Sequence, residues 1–106
     1  MIEIFTRREM ERIIGEEKFV LFYISRPACG VCGALKPKIN NIAANIDGLQ
    51  VYYLNLDNDE SVAGQYSIFT IPGILVYVDG KEFIREARYI SVDDINDQLT
   101  RLKSLM

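Results

Sequence analysis

Phe19-Val20-Leu21-Phe22-Tyr23-Ile24-Ser25-Arg26-Pro27-Ala28-Cys29-Gly30-Val31-Cys32 is the stretch on which the fold turns. Its apolar opening, Phe19 to Ile24, shows no alternation. That fits a strand buried on both faces, as central strands with parallel neighbours are. Pro27 restricts Arg26 to extended backbone and ends the strand. The only two cysteines of the chain follow at C-x-x-C spacing, directly ahead of a segment with helical periodicity. A strand therefore delivers a thiol pair to the start of a helix. That helix is expected from Gly30 to about Ile46, because Leu35, Ile39, Ile42, Ala43 and Ile46 recur at three- and four-residue steps and form one apolar stripe. Pro37 lies inside it, removes a hydrogen bond and is expected to kink it.

Working outward, Thr6-Arg7-Arg8-Glu9 reads as a capping box for a short first helix with Met10, Ile13 and Ile14 on one face, ending at Gly15. A small strand is expected at Ile2 to Phe5. On the other side, Val51 to Leu56 reads as a second long strand. Asp57-Asn58-Asp59-Glu60 favours a turn, and Ser61 to Tyr66 can form about two turns of helix. Ile71-Pro72 opens a third long strand that runs to Val78. Asp79-Gly80 is a strong hairpin signal, so Glu82 to Ala87 should return antiparallel. Ser91-Val92-Asp93-Asp94 caps a last helix, with Ile95, Leu99, Leu102 and Leu105 or Met106 facing inward. Strands joined by helices must cross over right-handedly, which leaves a mixed central sheet with helices on both faces.

Composition narrows the function. The chain has 106 residues, 49% apolar and 25% charged, enough for one α/β domain with a core and too short for two, so residues 1–106 are expected to form a single domain. Fifteen acidic residues stand against 12 basic ones with no basic block, so nothing attracts a phosphate backbone and nucleic acid is not an expected partner. No apolar run approaches the ~20 residues that span a bilayer, and Met1 to Arg12 shows no signal-peptide core. No membrane association is expected, and the location implied is cytoplasmic. Two cysteines at this spacing then point to redox chemistry or to metal. Structural zinc takes four nitrogen or sulfur ligands, and the chain has no histidine and no further cysteine, so a metal or iron-sulfur site would require a dimer.

The C-x-x-C at a strand-to-helix junction, a proline five residues past the second cysteine, Leu54-Asn55-Leu56-Asp57, Tyr66-Ser67-Ile68, and Ile71-Pro72 leading a strand that ends in Asp79-Gly80 together resemble the thioredoxin family over most of the chain. The resemblance implies an α/β thioredoxin fold, a mixed sheet of parallel strands plus a C-terminal antiparallel hairpin, and a thiol-disulfide oxidoreductase needing no bound cofactor. It implies Cys29 as nucleophile, favoured as an anion by the unpaired amides and dipole of a helix start, with Cys32 one turn in, more buried, as the resolving thiol of a Cys29-Cys32 redox disulfide. It further implies a cis peptide at Ile71-Pro72 facing the cysteines and keeping metal from them, while the main chain of Ile71 pairs with an extended substrate. Ala28, Gly30, Val31, Gly73 and Arg88 would line the substrate groove. The implied partners are protein disulfides and an NADPH-dependent thioredoxin reductase, the chain being a monomer. Three other readings stay open: a glutaredoxin-like reductase serving a small thiol, a non-enzymatic, redox-responsive binding module, and a dimeric metal or iron-sulfur carrier.

The chain also departs from the family. Thioredoxins usually carry a buried aspartate six residues before the first cysteine and a lysine paired with it on the next strand; Tyr23 and Tyr53 stand there. A phenol with a pKa near 10 is a poor base at neutral pH, so deprotonation of Cys32 is expected to be slower or to use water. The usual tryptophan before the first cysteine is Ala28, the Gly-Pro dipeptide is Gly30-Val31, and Gly73 replaces a common threonine, which predicts a more open groove. Sixteen residues past Pro72, where the family has a groove-lining glycine, stand Arg88 and then Tyr89. Arg88 either closes the groove and biases it toward acidic substrates or a negatively charged small thiol, or is a plain surface arginine. Arg26 reads as a solvated loop charge.

Overall fold

The computed structural model describes residues 1–106, and its architecture follows from the strand at its centre. All seven residues of β2 (Phe19–Ser25) are buried. β3 (Gln50–Asn55) pairs with it in parallel, Tyr23 opposite Tyr53, and β4 (Gly73–Val78) pairs antiparallel on the other side, Ile24 opposite Gly73. β1 (Ile2–Ile4) adds in parallel to β3, and β5 (Lys81–Ala87) adds antiparallel to β4, giving the order β1-β3-β2-β4-β5. The sheet is mixed, as expected.

The missing alternation in β2 has a direct cause, since successive side chains serve two different cores. Val20, Phe22 and Ile24 pack with Met10 and Ile13 of α1 (Arg7–Glu16) and Val62 of α3 (Ser61–Gln65). Phe19, Leu21 and Tyr23 pack with Leu35, Ile39 and Ala43 of α2 (Gly30–Ala44) and with Ile95 and Leu99 of α4 (Val92–Ser104). Each fully buried Val, Leu, Ile, Phe or Met among these contributes about 1.5–3 kcal/mol relative to exposure.

The expected caps are present. The Thr6 hydroxyl accepts from the Glu9 amide at 3.1 Å, while the Glu9 carboxylate reaches back one residue further than a capping box requires, accepting from the Phe5 amide at 3.2 Å. Ser91 Oγ accepts from the Asp94 amide at 3.2 Å. Asp79 and Gly80 both have positive φ, 49° and 81°, the geometry of a two-residue type I′ hairpin turn.

Several boundaries differ from the sequence expectation. α1 passes through Gly15 to Glu16. α2 ends at Ala44, two residues early, and Pro37 lies inside it without ending it. α3 is shorter than the expected two turns, because Tyr66 already caps it and Ser67 turns to φ 55°. β4 begins at Gly73, not at Ile71, since Pro72 has no amide to give a ladder. The inward placement of Leu105 or Met106 is corrected: they are 78% and 45% exposed. The helix stops at Ser104 and Leu105 becomes its cap, so the stripe ends with half-buried Leu102.

Candidate active site

The thiol pair lies where β2 hands the chain to α2. Cys29 is the N-cap of α2, in extended backbone, and its Sγ accepts from the Cys32 amide at 3.2 Å. The loop before it is closed by the Cys29 amide donating to the Arg26 carbonyl at 3.1 Å, and the helix starts with the Gly33 amide donating to the Cys29 carbonyl at 3.2 Å. Cys29 and Cys32 are joined as a disulfide with Cα atoms 5.3 Å apart. Cys32 is 1% exposed, whereas Cys29 is only half-buried. The cap position matters chemically, since a helix N-terminus offers unpaired amides and a positive dipole end to an anion.

The Ile71-Pro72 peptide is cis. Pro72 is buried next to Gly73, which pairs with Ile24 at the carboxyl end of β2, the end from which the cysteine loop leaves. The backbone N–H and C=O of Ile71 bond to nothing else in the chain. They are open to an incoming extended segment. The Arg88 amide donates to the Pro72 carbonyl at 2.8 Å, which brings the end of β5 to the same place. Arg88, Tyr89, Ile90 and Ser91 then face Val31 and Leu35 of α2 across a hollow of about 410 Å³. Ala28, Gly30 and Val31 lie on the rim of the cysteine loop, Ala28 and Val31 exposed.

Around Cys32, the position of the family's aspartate is filled in a specific way. Tyr23 is fully buried, and its hydroxyl donates to the Cys32 carbonyl at 2.5 Å. Burial, with the neighbouring Tyr53 adding to it, pushes the Tyr23 phenol up to about 12. Its proton is therefore engaged as a donor and is not given up at neutral pH. Ser25 donates to the Tyr53 hydroxyl at 3.3 Å, and the Lys36 ammonium sits 3.8 Å from the Tyr53 ring centroid. A cation is thus supplied from α2 beside the residue that stands where the family has its lysine.

Three expectations change. Arg26 is not simply solvated, because its guanidinium donates to Asp57 Oδ1 at 2.7 Å and with both terminal nitrogens to Glu60, the second at 2.9 Å. These bonds hold the Glu60 carboxyl below its ordinary range and stabilise the guanidinium cation further. Sequence reading missed the pair because the acidic run Asp57 to Glu60 served there as a turn signal; its only other hint was an arginine directly before the Pro27 loop. Gly73 does not open the groove: it is buried, and a Cβ there would come 3.3 Å from Ile68 Cγ2, so Ile68 already fills the space. Arg88 lines the groove without closing it. Its guanidinium carbon lies over Tyr89, 4.9 Å from the ring centroid, and the hollow stays open beside it.

Among known proteins, the family model described as Thioredoxin matches residues 1–101. The Thioredoxin-like protein YdfQ of Bacillus subtilis (strain 168) is 36% identical over 96 residues, 91% of this chain and 86% of that protein. The thioredoxin of Chlamydia caviae is 31% identical over 101 residues, 88% of this chain and 95% of that one. In structure, thioredoxin from Trypanosoma brucei brucei matches with a TM-score of 0.87 at 13% identity, covering 98% of this chain and 91% of that one. Fasciola hepatica thioredoxin matches at 0.84 and 23% identity, covering 95% and 98%.

Proposed function

The chain belongs to the thioredoxin family and is a thiol-disulfide oxidoreductase, and from that premise we propose that it reduces protein disulfides, with Cys29 as nucleophile and Cys32 as resolving thiol. The observation that carries this reading is the position of Cys29 Sγ at the N-cap of α2, accepting the Cys32 amide at 3.2 Å. In the reduced protein the same amide and the helix dipole favour a thiolate there. That thiolate attacks one sulfur of the client disulfide, the client S–S bond breaks, and the leaving sulfur takes up a proton. Cys32 then loses its proton, attacks Cys29 Sγ in the mixed disulfide, and releases the second client thiol as the Cys29-Cys32 bond forms. Two electrons have passed to the client.

Cys32 must give its proton to water or to the departing client thiolate, because the Tyr23 hydroxyl is held as a donor to the Cys32 carbonyl. The free N–H and C=O of Ile71 would hold the client by strand addition, with Pro72 beneath it and Ala28, Gly30 and Val31 at the rim. Gly73, lying under Ile68, would shape the floor. Electrons would come from an NADPH-dependent thioredoxin reductase, and the setting would be a monomer in the cytoplasm.

Two measurements test this. Cys32→Ser should accumulate a covalent mixed disulfide with a disulfide-bonded client, whereas Cys29→Ser should neither turn over nor trap. Equilibration in thiol buffers of graded potential, followed by alkylation and mass counting of free thiols, should place the pair near about −270 mV, the range of a cytosolic reductant. A value near about −180 mV would overturn the reductant reading in favour of an oxidant or isomerase.

A further inference from the structure

Three features of Arg88 bear on the substrate face. Its φ is +70°, a backbone conformation that L side chains rarely adopt, and it is held there by its amide's bond to the Pro72 carbonyl. It has no acidic partner, a state it shares with Arg8 and Arg101, whereas Arg7, Arg12, Arg26 and Arg85 each pair with a carboxylate; of the three unpaired arginines it is the one that lines the hollow beside the cysteine helix. Its guanidinium lies along Tyr89 at the edge of the 410 Å³ hollow whose opposite wall is Val31 and Leu35. The other arginine beside the cysteines, Arg26, gives three of its five N–H groups to Asp57 and Glu60, and those two carboxylates already balance its charge. The client side of this face therefore holds one uncommitted, planar, bidentate cation above an apolar trough.

We propose that Arg88 is a specificity determinant: it selects protein disulfides in which a glutamate or aspartate lies next to the reactive cysteine. The inference rests on the reductase reading above. The carboxylate takes the guanidinium fork while an adjoining apolar side chain of the client lies against Val31, Leu35 and Ile90. The trough is what favours a polypeptide over a small anionic disulfide, since a charged tripeptide thiol has no apolar group to fill it. The strained backbone serves the same end, because the left-handed residue ends β5 at this corner while its guanidinium lies over Tyr89 at the hollow.

The test is a pair of disulfide peptides identical except for Glu or Gln beside the cystine, each mixed with pre-reduced protein and followed by rapid alkylation and mass, a readout suited to a chain without tryptophan. The Glu peptide should react about fivefold faster, the scale of one exposed charge-assisted contact, and the preference should shrink toward one at about 1 M salt, where the screening length is about 3 Å. Arg88→Gly, which removes the charge and suits the positive φ, should bring the ratio to about one whatever happens to the absolute rate, and Arg88→Lys should keep a preference. A wild-type ratio of one, a ratio that survives Arg88→Gly, or faster reaction with oxidised glutathione than with the Glu peptide would each overturn the proposal. Failure to reduce either peptide would instead overturn the reductase reading, and this inference with it.

Discussion

A phenol whose hydroxyl donates to a carbonyl and whose pKa is pushed up to about 12 holds geometry and does not move protons. Tyr23 should accordingly matter to the first turn of α2 more than to the chemistry. Tyr23→Phe keeps the ring in its core and deletes one buried hydrogen bond, so urea unfolding of the oxidised protein should show a loss of about 1 kcal/mol. The kcat/KM profile between about pH 6 and 9 should keep its shape, since no group titrating there has been removed; a lost ionisation in that range would make Tyr23 the base after all. The cysteine pair itself was legible in the sequence because three-residue spacing at a strand-to-helix junction is a local pattern. Arg26 was not, because its partners Asp57 and Glu60 are 31 and 34 residues away and only the parallel pairing of β2 with β3 brings the two loops together. The same holds for Lys36 over Tyr53, a contact between a helix and a neighbouring strand that no periodicity announces.

Elements were legible where their physics is local and their ends were not where tertiary contacts decide. Thr6, Ser91 and Asp79-Gly80 marked a helix start, another helix start and a turn, and each acts as read, because capping and turn chemistry operate within a few residues. α3 starts at Ser61 as read and is short only at its far end, where Tyr66 caps it and Ser67 turns to positive φ, a constraint that lies beyond its own sequence. The Arg26 fork is what joins the cysteine loop to the N-terminus of α3. Arg26→Ala should leave global stability within about 1 kcal/mol, as befits a partly exposed ion pair. It should nevertheless speed hydrogen exchange of the Cys29 amide several-fold relative to amides of β2, because that amide's only bond is to the Arg26 carbonyl in the loop the fork restrains. The effect should also appear in wild-type protein as pH falls through the lowered pKa of Glu60: a carboxylate with a depressed folded-state pKa stabilises above its unfolded value and loses that contribution on acidification. Equal protection in the variant and the wild type would show that the fork merely decorates the loop.

At the scale of the molecule, the sheet separates two cores, and each contains a phenol that burial pushes up to about 12. Tyr23 lies on the α2/α4 side, and Tyr77 lies on the α1/α3 side, where Glu82 adds to the effect of burial. Tyr52 and Tyr66 on that second side are raised as well, burial again being the first cause. A group whose folded-state pKa exceeds its unfolded value gives its full stabilisation below the unfolded pKa, here about 10, and loses it as pH rises toward the folded value, because the unfolded chain releases the proton first. Stability of the oxidised protein should therefore be level with respect to these groups up to about pH 9 and decline above about pH 10. Tyr23 and Tyr77 should each contribute a slope of about 1.4 kcal/mol per pH unit once the unfolded phenols are ionised. Denaturant midpoints measured from pH 8 to 12 with the disulfide intact would show this, the cysteines then carrying no titratable thiol. Tyr23→Phe should remove one of the two larger slopes and leave the other, since Tyr77 is sealed in the opposite core and keeps its own linkage to unfolding. If the variant instead abolished the alkaline decline altogether, Tyr77 would have to ionise in the folded protein as readily as in the unfolded chain, and the second core would not seal it as its packing indicates.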